Sequence, residues 1–190
     1  MKEYTAQELF ELLNLQDECD WVEAKGGHES SHSVMETVCS FSNEPGLGGG
    51  YIILGVAEDN TVLFPQYKTI NITDPDKFQK DFVSQCSSMF NIPVRPKVTV
   101  EKINSDTVIK IQIDELAHNQ KPLYFLADGL PSGAYRRIGP TDQRCTEDDM
   151  RIFYTDYKSY DQTPLKGTSF HDVDENAVKR YRSLREKVNP

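Results

Sequence analysis

The chain has 190 residues, 37 % of them hydrophobic, with 30 acidic against 21 basic side chains for a net charge of −9. That length suits one sizeable domain with a small appendage, and no apolar window approaches the ~20 residues a membrane helix needs. The acidic balance weighs against a freestanding nucleic-acid binder, because neutralising phosphates supplies most of such affinity; a basic face, if present, must be local.

The opening residues MKEYTAQELFELL are acidic and helically periodic, unlike a secretory signal. Thr5 with Glu8 three residues on is a capping-box pattern, and Leu9, Phe10, Leu12 and Leu13 predict a short amphipathic helix. A strand is expected from about Asp20 to Lys25, with Val22 and Ala24 on one side and Trp21, Glu23 and Lys25 on the other. After Gly26-Gly27, Val34, Val38 and Phe41 recur at helical spacing, and that helix stops at Asn43-Glu-Pro45.

A glycine-rich loop containing Gly48, Gly49 and Gly50 leads into Tyr51–Val56, read as a buried core strand interrupted by Gly55. The turn Glu58-Asp59-Asn60 and a short apolar run Thr61–Phe64 follow. Asp74-Pro75-Asp76 starts a helix that reaches about Phe90. Lys97–Ile103 and Thr107–Ile113 alternate around Asn104-Ser-Asp106 and predict a hairpin. Leu123–Leu126 and Ala134–Ile138 are read as two more strands, the second with Tyr135 and Arg137 on one face. Thr146-Glu-Asp-Asp149 opens a helix to about Tyr157, Ser159–Gly167 has linker composition, and a last helix, basic in its second half, runs Val173–Val188. The sum is an α+β fold: a mixed β-sheet packed with helices, plus a C-terminal helical tail from about residue 159.

Cys19, Cys39, Cys86 and Cys145 lie far apart without CxxC pairs or nearby histidine pairs, which argues against a zinc site or a disulfide scaffold and fits reduced thiols in a cytoplasmic protein. The glycine loop lacks GKS or GKT and precedes a strand instead of a helix, so it is no phosphate-binding loop. Glu18, Glu23, Glu58 and Asp59 flank the strands that bracket the first long helix. Clustered, they could hold Mg²⁺ or Mn²⁺ for phosphodiester cleavage. Glu18 and Glu23 are an odd number of residues apart, so Glu18 must sit in the approach turn to share a face. Among the bases, Arg136, Arg137, Arg144 and Arg151 group in sequence, with Lys25 and Tyr135 as expected neighbours. Tyr135 with Arg137 is read as a base-stacking and phosphate-binding pair.

In order, these pieces resemble the AlbA-type domain shared by Schlafen proteins and by bacterial transcriptional regulators related to ATP-dependent DNA helicases. The resemblance rests on Glu18, Glu23 and Lys25; on Phe41-Ser42-Asn43 followed by Gly49-Gly50; on Leu54-Gly55-Val56 with Glu58-Asp59; and on Tyr135, Arg137, Gly139 and Thr146–Asp149. It covers about residues 7–158 and assigns 1–158 to this domain. Residues 159–190 become a linker and helix leading to further C-terminal domains.

The resemblance implies a DNA- or RNA-binding domain of a transcriptional regulator, without catalysis or cofactor of its own, possessing Lys25, Tyr135, Arg136, Arg137 and Arg144 as contacts. Asn43, Gly49, Gly50 and Gly55 become structural. Nuclease-active Schlafens carry an aspartate directly after the Gly-Val pair, where this chain has Ala57. The alternatives are a Schlafen-like metal-dependent ribonuclease using Glu18, Glu23 and Glu58 or Asp59, and an ATP-binding or oligomerisation platform, including a homodimer.

Overall fold

The computed structural model describes residues 3–27, 31–59, 61, 66–154 and 174–188. The run after Thr61, the stretch Ser159–Gly167 and Val173 lie outside them. The chain divides into two units, Met1–Tyr154 and Thr155–Pro190. In the second, helix Glu175–Val188 begins beside Asp174, whose carboxylate accepts the Asn176 amide at 2.8 Å. Its Lys179, Arg180 and Arg182 are exposed.

In the first unit, α1 (Ala6–Gln16) starts at the expected capping box, with the Glu8 amide donating to Thr5 Oγ1 at 3.2 Å and the Thr5 amide to Glu8 Oε2 at 2.7 Å. Strand β1 (Val22–Lys25), helix α2 (Ser31–Asn43) and strand β2 (Gly49–Leu54) form a parallel unit, with Val22 opposite Tyr51 and Lys25 opposite Leu54. Past Gly55, β3 (Val56–Glu58) pairs with β4 (Tyr67–Thr69) in a separate ribbon. Helix α3 (Pro75–Ser88) is capped by Asp74, which accepts the Lys77 amide at 3.0 Å. The hairpin β5 (Lys97–Ile103) and β6 (Asp106–Asp114) turns at Asn104 with φ +56°, a backbone state asparagine tolerates. Strand order in the main sheet is β1-β2-β6-β5. Strands β7 (Tyr135–Ile138) and β8 (Thr141–Arg144) form a second hairpin, followed by α4 (Glu147–Tyr154).

The mixed α+β architecture follows from period-two burial. On β2, Ile52 and Leu54 join Val34, Val38, Phe41, Phe82 and Ile111 beneath α2 and α3. Tyr51 and Ile53 face the opposite way, joining Leu9, Leu13, Val22 and Ala24 beneath α1. β2 is therefore buried on both faces, which explains its unbroken apolar run.

Several expectations need correction. Gly49 and Gly50 are the first residues of β2, opposite Asp114 and Ile113, instead of a loop before it. A Cβ on Gly50 would lie 2.5 Å from the Phe41 ring, so its hydrogen is what lets α2 close onto the sheet. The core strand ends at Leu54 because Gly55, at φ +86°, redirects the chain, and a Cβ there would meet the Ile70 carbonyl at 2.7 Å. Trp21 precedes β1 and packs on Tyr4 at 5.2 Å, on the Val22 side. Leu123–Leu126 forms only isolated bridges, because two asparagine side chains occupy its backbone. Asn43 Nδ2 donates to the Leu123 carbonyl at 2.8 Å, and Asn43 Oδ1 accepts the Leu123 amide at 2.7 Å. Asn91 Oδ1 accepts the Tyr124 amide at 2.9 Å.

Candidate functional site

The turn after α1 brings Glu18 toward the end of β1. The Ala24 amide donates to Glu18 Oε1 at 3.0 Å, which folds the approach turn against the strand and answers the spacing objection. Glu18, Glu23, Lys25, Ala57, Glu58 and Tyr67 line one cleft of about 260 Å³. Tyr67 enters from β4, directly opposite Glu58 in the ribbon, and its hydroxyl donates to Asp17. Burial, with Asp17 as acceptor, raises the Tyr67 pKa above its ordinary value. Burial is also the main cause that lifts Glu18 to about 7, with repulsion from Glu23 second. Asp59 stands apart: Thr61 and Lys68 donate to its Oδ1, and the Thr61 bonds chiefly hold its pKa down.

Glu23 is the hub of this cleft, and both of its oxygens are taken. Lys25 Nζ lies 2.6 Å from Oε1, and Arg137 Nη2 lies 2.6 Å from Oε2. Arg137 continues to Asp142 Oδ1 at 2.9 Å and to the Cys19 carbonyl at 3.0 Å. Its side chain is 0 % exposed and sits over the Phe41 ring, 4.9 Å from the centroid. Burial opposes its charge, yet Glu23 and Asp142 overcome that and raise its pKa. Asp142 also accepts Ser40 Oγ and Thr37 Oγ1, both at 2.5 Å. The chain Lys25, Glu23, Arg137, Asp142, Thr37 and Ser40 thus locks the β7–β8 hairpin to α2 and β1 through charge-assisted bonds.

This arrangement revises the expected contacts. Arg137 is enclosed and offers no surface to a phosphate. Arg136 is held by Glu44 at 2.8 Å and Asp149 at 3.2 Å. Tyr135 is itself buried, and its hydroxyl donates to Glu36 Oε1 at 2.6 Å. Arg144 is exposed: its guanidinium lies over the Tyr135 ring at 5.5 Å and donates to the Tyr135 hydroxyl at 2.9 Å. Asn43 serves the backbone, donating also to the Tyr135 carbonyl at 3.0 Å. Sequence reading missed Asp142, Thr37, Ser40 and Glu36. The available signal was polar Thr37 and Ser40 on the stripe of α2 that faces inward, since buried hydroxyls need partners.

The carboxylates do not fit an Mg²⁺ or Mn²⁺ centre. Two cations saturate Glu23, Ala57 brings no donor, and Asp59 is turned to Thr61 and Lys68. Among the described residues no cluster of three or more histidine, cysteine, aspartate or glutamate side chains is arranged to hold a metal ion.

A family model described as Schlafen, AlbA_2 matches residues 18–146, from the cleft glutamate to the start of α4. The chain belongs to the Schlafen AlbA_2 family. This Schlafen AlbA_2 chain is similar to the N-terminal domain of an ATP-dependent DNA helicase RecG-related protein from Nitrosomonas europaea, solved by solution NMR. The two share 43 % identity over 76 % of this chain and 95 % of that one, with a TM-score of 0.63. A likeness of fold alone extends to the crystal structure of the DIP2311 protein from Corynebacterium diphtheriae, at 15 % identity and a TM-score of 0.50. It covers 86 % of this chain and 33 % of that one. No curated protein matches the chain. Among the described residues of this Schlafen AlbA_2 chain, no helix is long and apolar enough to cross a membrane.

Proposed function

We propose that this Schlafen AlbA_2 domain binds nucleic acid, DNA in the first place, as a non-catalytic module of a longer transcriptional regulator. The observation that carries the reading is Arg144, an exposed guanidinium on the Tyr135 ring with no carboxylate in ion-pair contact among the described residues. In a chain of net charge −9, an exposed arginine beside an aromatic and without a carboxylate ion pair among the described residues is a local cation that a phosphate or a base can meet. The relative from Nitrosomonas europaea, named as the N-terminal domain of a helicase-related protein, supports a setting among further domains. Lys25, held by Glu23, and Arg136 and Arg137 act as positioning residues, the two arginines for the hairpin that carries Arg144.

In the cleft of Glu18, Glu23 and Glu58, the pairing of Glu23 with Lys25 and Arg137 weighs against metal-dependent cleavage. Fluorescence anisotropy with labelled DNA and RNA across a salt series tests the reading. Binding that weakens with salt and drops on Arg144→Ala supports it, and absence of binding at low salt refutes it. Parallel incubations with RNA and DNA, with Mn²⁺ or with EDTA, test the non-catalytic part. Mn²⁺-dependent cleavage lost on Glu23→Gln would replace binding by catalysis.

A further inference from the structure

The sequence paired Tyr135 with Arg137 as a stacking surface, but both are buried. Two other planar groups lie outside them. His32, on the first turn of α2, is stacked on Phe125 with centroids 5.1 Å apart and planes 10° from parallel. Arg144, on β8, covers the Tyr135 ring. Beneath these caps, Phe125 and Tyr135 meet edge to face at 5.9 Å, and both are nearly fully buried. The caps are also joined by polar contacts. Arg144 donates to the Tyr135 hydroxyl, which donates to Glu36 Oε1, and that oxygen lies 3.4 Å from His32 Nδ1. The His32 side chain is 50 % exposed and Arg144 is exposed.

From this geometry we infer that His32 and Arg144 form a stacking platform for unpaired bases, so that the nucleic acid this domain binds is single-stranded. The inference rests on the nucleic-acid reading above and sharpens it. The stack on Phe125 holds the His32 ring, and the hydrogen bonds to Tyr135 hold the guanidinium plane, so little order remains to be lost when a base arrives. Both groups present flat faces, and guanidinium planes stack on bases as aromatic rings do. Glu36 lies beside both caps, so Arg144 supplies few phosphate contacts and the π-faces become the distinguishing contact. In a duplex those base faces are already covered by neighbouring base pairs, whereas in a single strand they are free.

The test uses fluorescein-labelled oligo(dT) and oligo(U) of equal length, a duplex of the same length, and the full chain. Both single strands should bind more tightly than the duplex, and a duplex bound as tightly as they are overturns the platform. His32→Ala should weaken single-strand binding by roughly tenfold, in line with the loss of one stacked base, and His32→Phe should restore it. Arg144→Lys should weaken binding by a similar factor, about tenfold, while leaving the salt slope unchanged, since charge is kept and the plane is lost. Both positions are exposed, so the variants keep the fold, which a thermal melt verifies. Salt-sensitive binding that His32→Ala and Arg144→Lys leave intact overturns the platform and leaves the nucleic-acid reading standing. No binding to any of the three probes overturns both.

Discussion

Replacing Arg137 by methionine removes the buried cation that joins Glu23 to Asp142 while keeping much of the side-chain volume. Arg137 contacts Glu23 at 2.6 Å and Asp142 at 2.9 Å with 0 % side-chain exposure, so water cannot replace it without opening the hairpin. Breaking a buried pair by deleting one partner costs about 3–5 kcal/mol, because the other charge stays desolvated. Lys25 still neutralises one Glu23 oxygen, and the Thr37 and Ser40 hydroxyls still donate to Asp142, which places the expected loss near the lower end, about 3 kcal/mol. That is a large part of the 5–15 kcal/mol typical of a domain, and it corresponds to a fall in Tm of about 6–12 °C. Urea unfolding followed by Trp21 fluorescence and circular dichroism reads it directly. Adding Asp142→Asn should recover about 1–2 kcal/mol, since the uncompensated charge is then gone. A single variant within about 0.5 kcal/mol of the wild type would refute the network as the lock on the hairpin.

Glu18 gives a pH signature. Its folded pKa of about 7 lies above the ordinary 4.5, so the protonated form favours the fold and stability falls as pH rises between those values. Glu18→Gln should therefore gain stability over the wild type across that window, reaching about 1–2 kcal/mol above pH 7 after discounting for partial exposure. A difference that does not change with pH would contradict this. Asn43→Ala removes bonds to the Leu123 amide and carbonyl and to the Tyr135 carbonyl, and should cost about 2–4 kcal/mol in chemical denaturation. Gly50→Ala drives a methyl into the Phe41 ring and should cost about 1–3 kcal/mol, measured the same way, with an unperturbed m-value.

Elements with strong local signals were legible in the chain. The Thr5 capping box, the Asp74-Pro75 helix start and the Asn104 hairpin each depend on neighbours in sequence and stand where the pattern puts them, whereas the buried core strand read at Tyr51–Val56 runs Gly49–Leu54. Strands β4 and β8 were not legible, because they are short and largely polar and exist through pairing with β3 and β7. Leu123–Leu126 has strand composition, but the amides of Asn43 and Asn91, distant in sequence, claim its backbone. The residues of the candidate site were visible as types, and Glu18, Glu23 and Glu58 do share a cleft. Their ionic partners were not visible. An arginine reads the same whether it faces solvent or, like Arg137, is sealed between two carboxylates. Long-range pairing therefore took Arg136 and Arg137 out of the cluster, while Arg144 kept an exposed guanidinium on the Tyr135 ring.

The most direct measurement of the central claim is the salt dependence of binding between the full chain and a labelled single-stranded oligonucleotide. The account predicts measurable affinity at low salt and a log–log slope of about −1 to −2, set by few phosphate contacts, with Arg144→Ala making that slope shallower. No binding at low salt, or binding indifferent to both salt and Arg144, would contradict it.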